Sequence, residues 1–181
     1  MGFAFVDTQM VNVDSSSDLW VEFRDRYERC CVACRSHDVE GFLAWAGPEG
    51  TFVRDDGTFG RWADTGPFWE WRFTQILEVG QFDITVENIK VDDDGLFVVD
   101  FHEVSRLTVR NFTGHPAVRF ADLHNRNWWR RSEAGLSIVK GAEPRTRRTL
   151  DGIPIEDLDD PIGFARWGRI SRGEDSEAHG G

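Results

Sequence analysis

Lysine is almost missing from this sequence: Lys90 and Lys140 are the only two, and arginine supplies the other fixed cations. Positive charge as a whole is in deficit. Thirty-two Asp and Glu stand against 21 Lys and Arg, a formal net charge of −11. Polyphosphate recognition needs a positive field that releases counterions, so a nucleic-acid partner is not expected. The same reasoning disfavours an anionic membrane surface. No apolar run approaches the roughly 18 residues needed to span a bilayer. The stretch Met1 to Val13 has no basic segment and contains Asp7, unlike a secretory leader. No glycine-rich loop fit to cradle a phosphate occurs, so no organic cofactor is expected.

Cysteine is also scarce, and its placement is informative. Cys30, Cys31 and Cys34 sit together and cannot staple distant parts of the chain. A disulfide scaffold is excluded, and a reducing cytoplasm is the natural setting. The C-x-x-C spacing with His37 raises the question of zinc. A structural zinc site wants four ligands in a tetrahedron, which a single helix face supplies poorly. Small, soft residues on a buried helix face explain the cluster more simply, and no metal is expected.

What is present is a globular composition. The 181 residues are 40% hydrophobic and 13% aromatic, with eight Trp but a single Tyr. Ser15, Ser16, Ser17 and Asp18 offer caps for a helix from Asp18 to Ser36. Its apolar stripe is Trp20, Phe23, Tyr27, Cys30/Cys31 and Cys34. Asp38 caps a short helix, Val39 to Ala46, ended by Gly47-Pro48. Thr51 to Val53 and Phe59 to Trp62 read as a hairpin about Asp56-Gly57. A third helix carries Phe68, Trp69, Arg72, Phe73, Ile76 and Leu77 and runs to Gly80, with Pro67 in its first turn. The period then changes to two, through Phe82, Ile84 and Val86. Leu96 to Arg110, Val118 to Arg131 and Leu136 to Thr149 follow as long strands.

Helices first and strands after predict an α+β fold with an antiparallel sheet. Strands this long must twist and curl, so the sheet wraps around the three helices as a cone with a hollow end. The domain spans 18–152, between an N-terminal extension (1–17) and a C-terminal extension (153–181). The latter begins acidic and ends in a Gly/Ser/Glu-rich stretch expected to be disordered. Between these, Ile162, Phe164 and Trp167 give the tail enough apolar surface to dock.

Three segments carry a resemblance. "SHDVEGFLAWAGPEGTFVRDDGTFGRWADTGPFWEW" is similar to a helix, short helix, hairpin and third helix. "FVVDFHEVSRLTV" is similar to a first long strand. "FADLHNRNWWRRSEAGLSIVKGAEPRTRRTLDG" is similar to a closing W-x-R, turn and strand. Together they resemble the SnoaL-like branch of the nuclear transport factor two superfamily, the cystatin-like cone. That superfamily includes cyclases, isomerases, dehydratases, epoxide hydrolases and non-catalytic binding proteins, so fold alone does not settle function.

The resemblance implies site positions. The late-strand position that holds an oxyanion falls on Asn125. The early-hairpin carboxylate position falls on Arg54 or Asp55. The first-helix Tyr position falls near Cys30, with Tyr27 one turn earlier. The dehydratase-type helix aspartate position falls near Cys34, and the cyclase-type one near Ala142, beside Glu143. Asp55 also suits the mouth of an Asp-Gly turn, and a buried Tyr27 needs only one hydroxyl partner.

The strand Leu96 to Arg110 adds His102. Its even residues include Asp100, His102 and Arg106, and its odd ones Phe101, Glu103 and Ser105; neither face is purely apolar. With the even face inward, Asp100, His102 and Arg106 line the hollow, and His102 beside a carboxylate is a general base. With the Phe101 face inward, His102 stands in water. On the next strand Asp122 and His124 share a face opposite to Asn125, so both sets line the hollow only through a bulge.

The expected function is general acid–base chemistry on a hydrophobic, oxygenated small molecule: cyclisation, isomerisation, dehydration or epoxide opening. His102 or Asp55 would move the proton. Asn125 and Tyr27 would hold negative charge, Trp69 and Trp129 would shape the walls, and Asp100, Arg106 and Cys34 would line the site. The Trp surplus suits a flat polycyclic ligand. The alternative is a ligand-binding or structural partner subunit, favoured if Phe and Trp fill the hollow. An outer sheet face bearing Val118, Phe120 and Trp128 predicts a homodimer.

Overall fold

The computed structural model describes residues 10–54 and 57–175. Helix α1 (Asp18–Ser36) starts where the Ser17 side chain accepts the Trp20 amide at 3.4 Å. It ends at His37, which takes a left-handed conformation (φ 55°). Its buried face is Phe23, Tyr27, Cys30, Cys31 and Cys34. Asp38 caps α2 (Val39–Trp45) by accepting the Gly41 amide at 2.9 Å. Gly47 follows at φ +85°; a Cβ there would stand 2.0 Å from the Leu136 carbonyl oxygen, so only glycine permits this approach to the sheet.

Strands β2 (Thr51–Val53) and β3 (Phe59–Arg61) form the short hairpin. Its tip, including Asp55, lies outside the described residues. Helix α3 (Gly66–Gln75) comes next, with proline in its first turn. It is shorter than the sequence pattern predicts. Ile76, instead of continuing the helix, opens β4 (Ile76–Val91) and pairs with Val109. Burying Ile76 in the ladder wins over its helical spacing.

The sheet continues with β5 (Phe97–Arg110), β6 (Pro116–Ser132), β7 (Gly135–Leu150) and the short β8 (Ile153–Pro154). The N-terminal segment adds β1 (Val11–Asn12) to the free edge of β4. The order is β1-β4-β5-β6-β7-β8, antiparallel at every junction. Register shifts near Leu77, Gly80 and Glu87 bend β4, and two more, opposite Asn125 and between Trp128 and Trp129, place their extra residues on β7. The result is the expected α+β architecture: a strongly curled sheet wrapped around α1, α2 and α3.

Helix α4 (Phe164–Ser171) is an addition to the three expected helices. The tail that carries it docks against α3. Phe164 stacks on Phe68 with ring centroids 3.7 Å apart, and Trp167 lies 5.4 Å from Trp71. The Gly/Ser/Glu-rich end expected to be disordered lies beyond residue 175, outside the described residues.

Candidate active site

Residue parity on β5 decides the site. The odd residues face the helices: Val99, Phe101, Leu107 and Val109 are buried, and the Phe101 ring lies 4.7 Å from that of Tyr27. Glu103 and Ser105 share that concave face. The even residues face outward. On β6 the concave set is Ala117, Arg119, Ala121, Leu123, Asn125, Asn127 and Trp129, all buried.

His102, Asp100 and Arg106 therefore stand on the convex face, against the expectation that they line the hollow. His102 pairs with Asp122 at 2.7 Å, Asp100 pairs with Arg126 at 2.6 Å, and Arg106 is exposed. Buried Phe101, Leu107 and Val109 outweigh the two valines of the other face, so the odd side turns in. Tyr27 is also corrected. Its hydroxyl accepts from Asn127 Nδ2 at 2.9 Å and Trp129 Nε1 at 3.3 Å, away from the cavity wall. Burial pushes this hydroxyl above its ordinary pKa, although the two hydrogen bonds act the other way. Trp129 is fully buried behind Tyr27 and Phe23 and forms no part of the wall. Asn125 points inward, but the wall beside it is Phe101, its cross-strand partner; its Oδ1 is buried without a hydrogen-bond partner.

The hollow is a cavity of about 150 Å³ between α1, α2, α3 and the first half of the sheet. Its aromatic walls include Phe42, Trp45, Trp62, Trp69, Phe73 and Phe101. Cys30 and Cys34 contribute sulfur from α1. Hydrogen bonding with Cys34 and burial push the Cys30 thiol well up, and burial pushes Cys31 up to about 12. Both thiols stay protonated at neutral pH, and a protonated thiol is neither nucleophile nor strong ligand.

Among the described residues, two charged ones line this cavity, Glu103 and Arg72. Sequence periodicity had marked both only as members of a strand row and a helix stripe. Burial raises the Glu103 carboxyl above its ordinary value; the charges of Arg119 and Arg72 oppose this without cancelling it. Ser105 Oγ donates a weak hydrogen bond to Glu103 at 3.4 Å. The Arg72 guanidinium lies over the Trp69 ring, 5.3 Å from its centroid, and donates to the Ile162 carbonyl at 3.1 Å. Burial and the like charge of Arg119 push Arg72 downward, yet a guanidinium stays charged in proteins.

The tail secures this corner. Arg119 makes a forked contact with Asp160, at 3.0 Å from Nε and 2.7 Å from Nη2, with both side chains almost fully buried. Burial acts to raise the Asp160 carboxyl, but Arg119, Arg72 and the Ile162 amide together hold it below its ordinary value. Arg119 and Arg72 thus act on a carboxyl group that burial raises, while Asp160 engages Arg119 directly.

Against solved structures the curled sheet has many counterparts. A conserved protein from Planctomyces limnophilus matches with TM-score 0.54 and 19% identity, over 75% of this chain and 97% of that one. The protein Kfla4162 from Kribbella flavida matches with TM-score 0.56 and 12% identity, over 74% and 95%. A candidate dehydratase of the NTF2-like family from Streptomyces avermitilis matches with TM-score 0.50 and 13% identity, over 68% and 94%. The fold is the NTF2-like cone. No protein-family profile and no curated protein matches the chain. Identities this low concern the NTF2-like cone alone, not the SnoaL-like branch within it or any one reaction. Among the described residues, no helix is long and apolar enough to cross a membrane.

Proposed function

We propose that this cone is a small-molecule enzyme that moves a proton with Glu103. The observation that carries the reading is a carboxyl group in an aromatic cavity, the one carboxyl among the described lining residues, raised in pKa by burial and sharing the wall with the fixed charge of Arg72. A protonated Glu gives its proton to a leaving or carbonyl oxygen, then takes one back from carbon. Arg72 stabilises the negative charge that develops on oxygen, in a site where water no longer screens it. Dehydration or isomerisation of an oxygenated substrate needs these parts and no nucleophile. The dehydratase description of the Streptomyces avermitilis neighbour is in keeping with this chemistry.

The cavity limits the substrate. An apolar cavity of about 150 Å³ accepts a molecule the size of benzene. A single ring or short branched chain fits; the flat polycyclic ligand suggested by the Trp surplus does not. The wealth of aromatic wall also favours a second reading, a binding protein for the same class of ligand. One experiment separates the two. Hydroxy and carbonyl compounds of single-ring size are screened by thermal shift. Binders are then followed by NMR in heavy water for dehydration or for deuterium entering a carbon site. Glu103→Gln should keep binding and lower turnover by roughly 10² to 10⁴. Binding without turnover in the native protein selects the binding reading, and unchanged turnover in the variant rejects Glu103 as the proton carrier.

A further inference from the structure

The convex face holds an arrangement that the cavity chemistry does not use. His102 on β5 and His124 on β6 are direct cross-strand partners, and their rings stack 4.4 Å apart at an interplanar angle of 5°. Directly paired residues carry Cβ atoms about 4.5–5.5 Å apart, so the backbone itself fixes this proximity. Asp122, two residues before His124, sets its Oδ1 2.7 Å from His102 Nε2. One ligand atom from each of the three residues lies within 4.8 Å of the others. All three side chains are about one-third exposed, so the cluster is open to solvent but rests on a rigid sheet.

We propose that His102, His124 and Asp122 form a binding site for a divalent transition metal of the zinc class. Two imidazoles and one carboxylate are a donor set that zinc accepts, with a remaining position for water. Donor atoms on one tetrahedral zinc stand about 3.4 Å apart. Both rings must turn about their χ2 bonds, out of the present stack, for their nitrogens to reach that separation and aim their lone pairs at one point. Metal binding replaces the hydrogen bond between His102 and Asp122. The surroundings supply the usual support. Glu87 on β4 places Oε2 3.4 Å from His124 Nδ1, which orients that ring and leaves Nε2 for the metal. Asp100 is already paired with Arg126 and stays out of the set. The nearest cations on β7, Arg145 and Arg147, face His124 and Asp122 in the register. Both are exposed and long enough to swing into solvent. The site departs from the expectation of no metal, which rested on the cysteines alone.

The test is titration of the metal-stripped full chain with zinc, followed by calorimetry, and cobalt(II) followed by its visible d–d bands. The expected result is one zinc per chain, with cobalt bands characteristic of nitrogen and oxygen ligands. His102→Ala and His124→Ala should each abolish binding, and Glu87→Gln should weaken it about 10- to 100-fold. His115→Ala should bind as the native protein does, and so should Glu103→Gln, which separates this site from the cavity. Because the three side chains are about one-third exposed and lie outside the core, the variants should melt close to the native protein in the presence of a chelator. Absence of binding at 100-fold excess zinc over protein overturns the proposal. So does zinc binding that persists in the His102→Ala/His124→Ala double variant.

Discussion

Replacing Asp160 by alanine tests how the tail is tied to the cone. The carboxylate meets Arg119 through two nitrogens, at 3.0 and 2.7 Å, and neither side chain is more than 4% exposed. Removing one partner of such a pair leaves an uncompensated buried charge and costs about 3–5 kcal/mol. Stabilities of 5–15 kcal/mol are usual for whole domains, so this single change takes a large share. For a chain of this length, about 1 kcal/mol corresponds to roughly 2–4 °C in Tm, so the midpoint should fall about 6–20 °C. Replacing both partners by apolar residues, Arg119→Met with Asp160→Leu, should restore most of the loss or improve on the native protein by up to about 4 kcal/mol. Chemical denaturation of the four proteins of this cycle measures the coupling. A loss below about 1 kcal/mol in Asp160→Ala, or a double variant as unstable as the two single losses added together, would refute the reasoning. The same pair sets an acid limit. A carboxyl held below its ordinary value near 3.8 contributes stability that is complete above that value and is lost as pH falls through the lowered one.

Glu103 has the opposite sign. Its folded pKa is raised, so stability falls as pH rises from about 4.5 through the raised value; Glu103→Gln should remove that slope and melt higher than the native protein at neutral pH. Equal slopes in the two proteins would place Glu103 outside the cavity. Tyr27→Phe should leave Asn127 Nδ2 and Trp129 Nε1 without their shared acceptor and cost about 1–3 kcal/mol in urea unfolding, with turnover nearly unchanged. A large fall in turnover at native stability would return Tyr27 to the chemistry. Val118, Phe120 and Trp128 are half-buried on the convex face that also carries Asp122 and His124, so a homodimer through it competes with the metal site; for the metal-free chain light scattering should give a mass near twice 20.7 kDa. A mass near the single value sinks the dimer.

The order of elements was legible because caps, breakers and periods agree: Ser17, Asp38 and Pro67 start helices where the sequence places them. The site was less legible, and β5 shows why. Alternation points a strand's apolar side inward, but the inward side of β5 carries Glu103 and Ser105 while the outward side carries Val98 and Val104. The group that makes the cavity chemically interesting is the one that blurs the pattern. Arg72 was concealed for a related reason: on α3 it continues an apolar stripe, because its stem and guanidinium cover Trp69. Cys34 and Trp69 were named for the cavity and stand in its wall, whereas Trp129 belongs to the core behind it. Nothing in the spacing announced that His102, Asp122 and His124 meet, since only the pairing of β5 with β6 brings them together.

The ion pair between Arg119 and Asp160 also bears on the order in which the protein is made. Chains leave the ribosome N-terminus first, so the sheet can begin to curl before the tail exists. Arg119 emerges about 40 residues ahead of Asp160, which at ordinary synthesis rates is roughly 2–8 s. Throughout that interval Arg119 is a cation on the concave face whose acidic neighbours are Glu103 and, once made, Glu143. The acid of the nascent cone therefore shares that cation until the last segment arrives, when Asp160 takes Arg119 into a pair of its own.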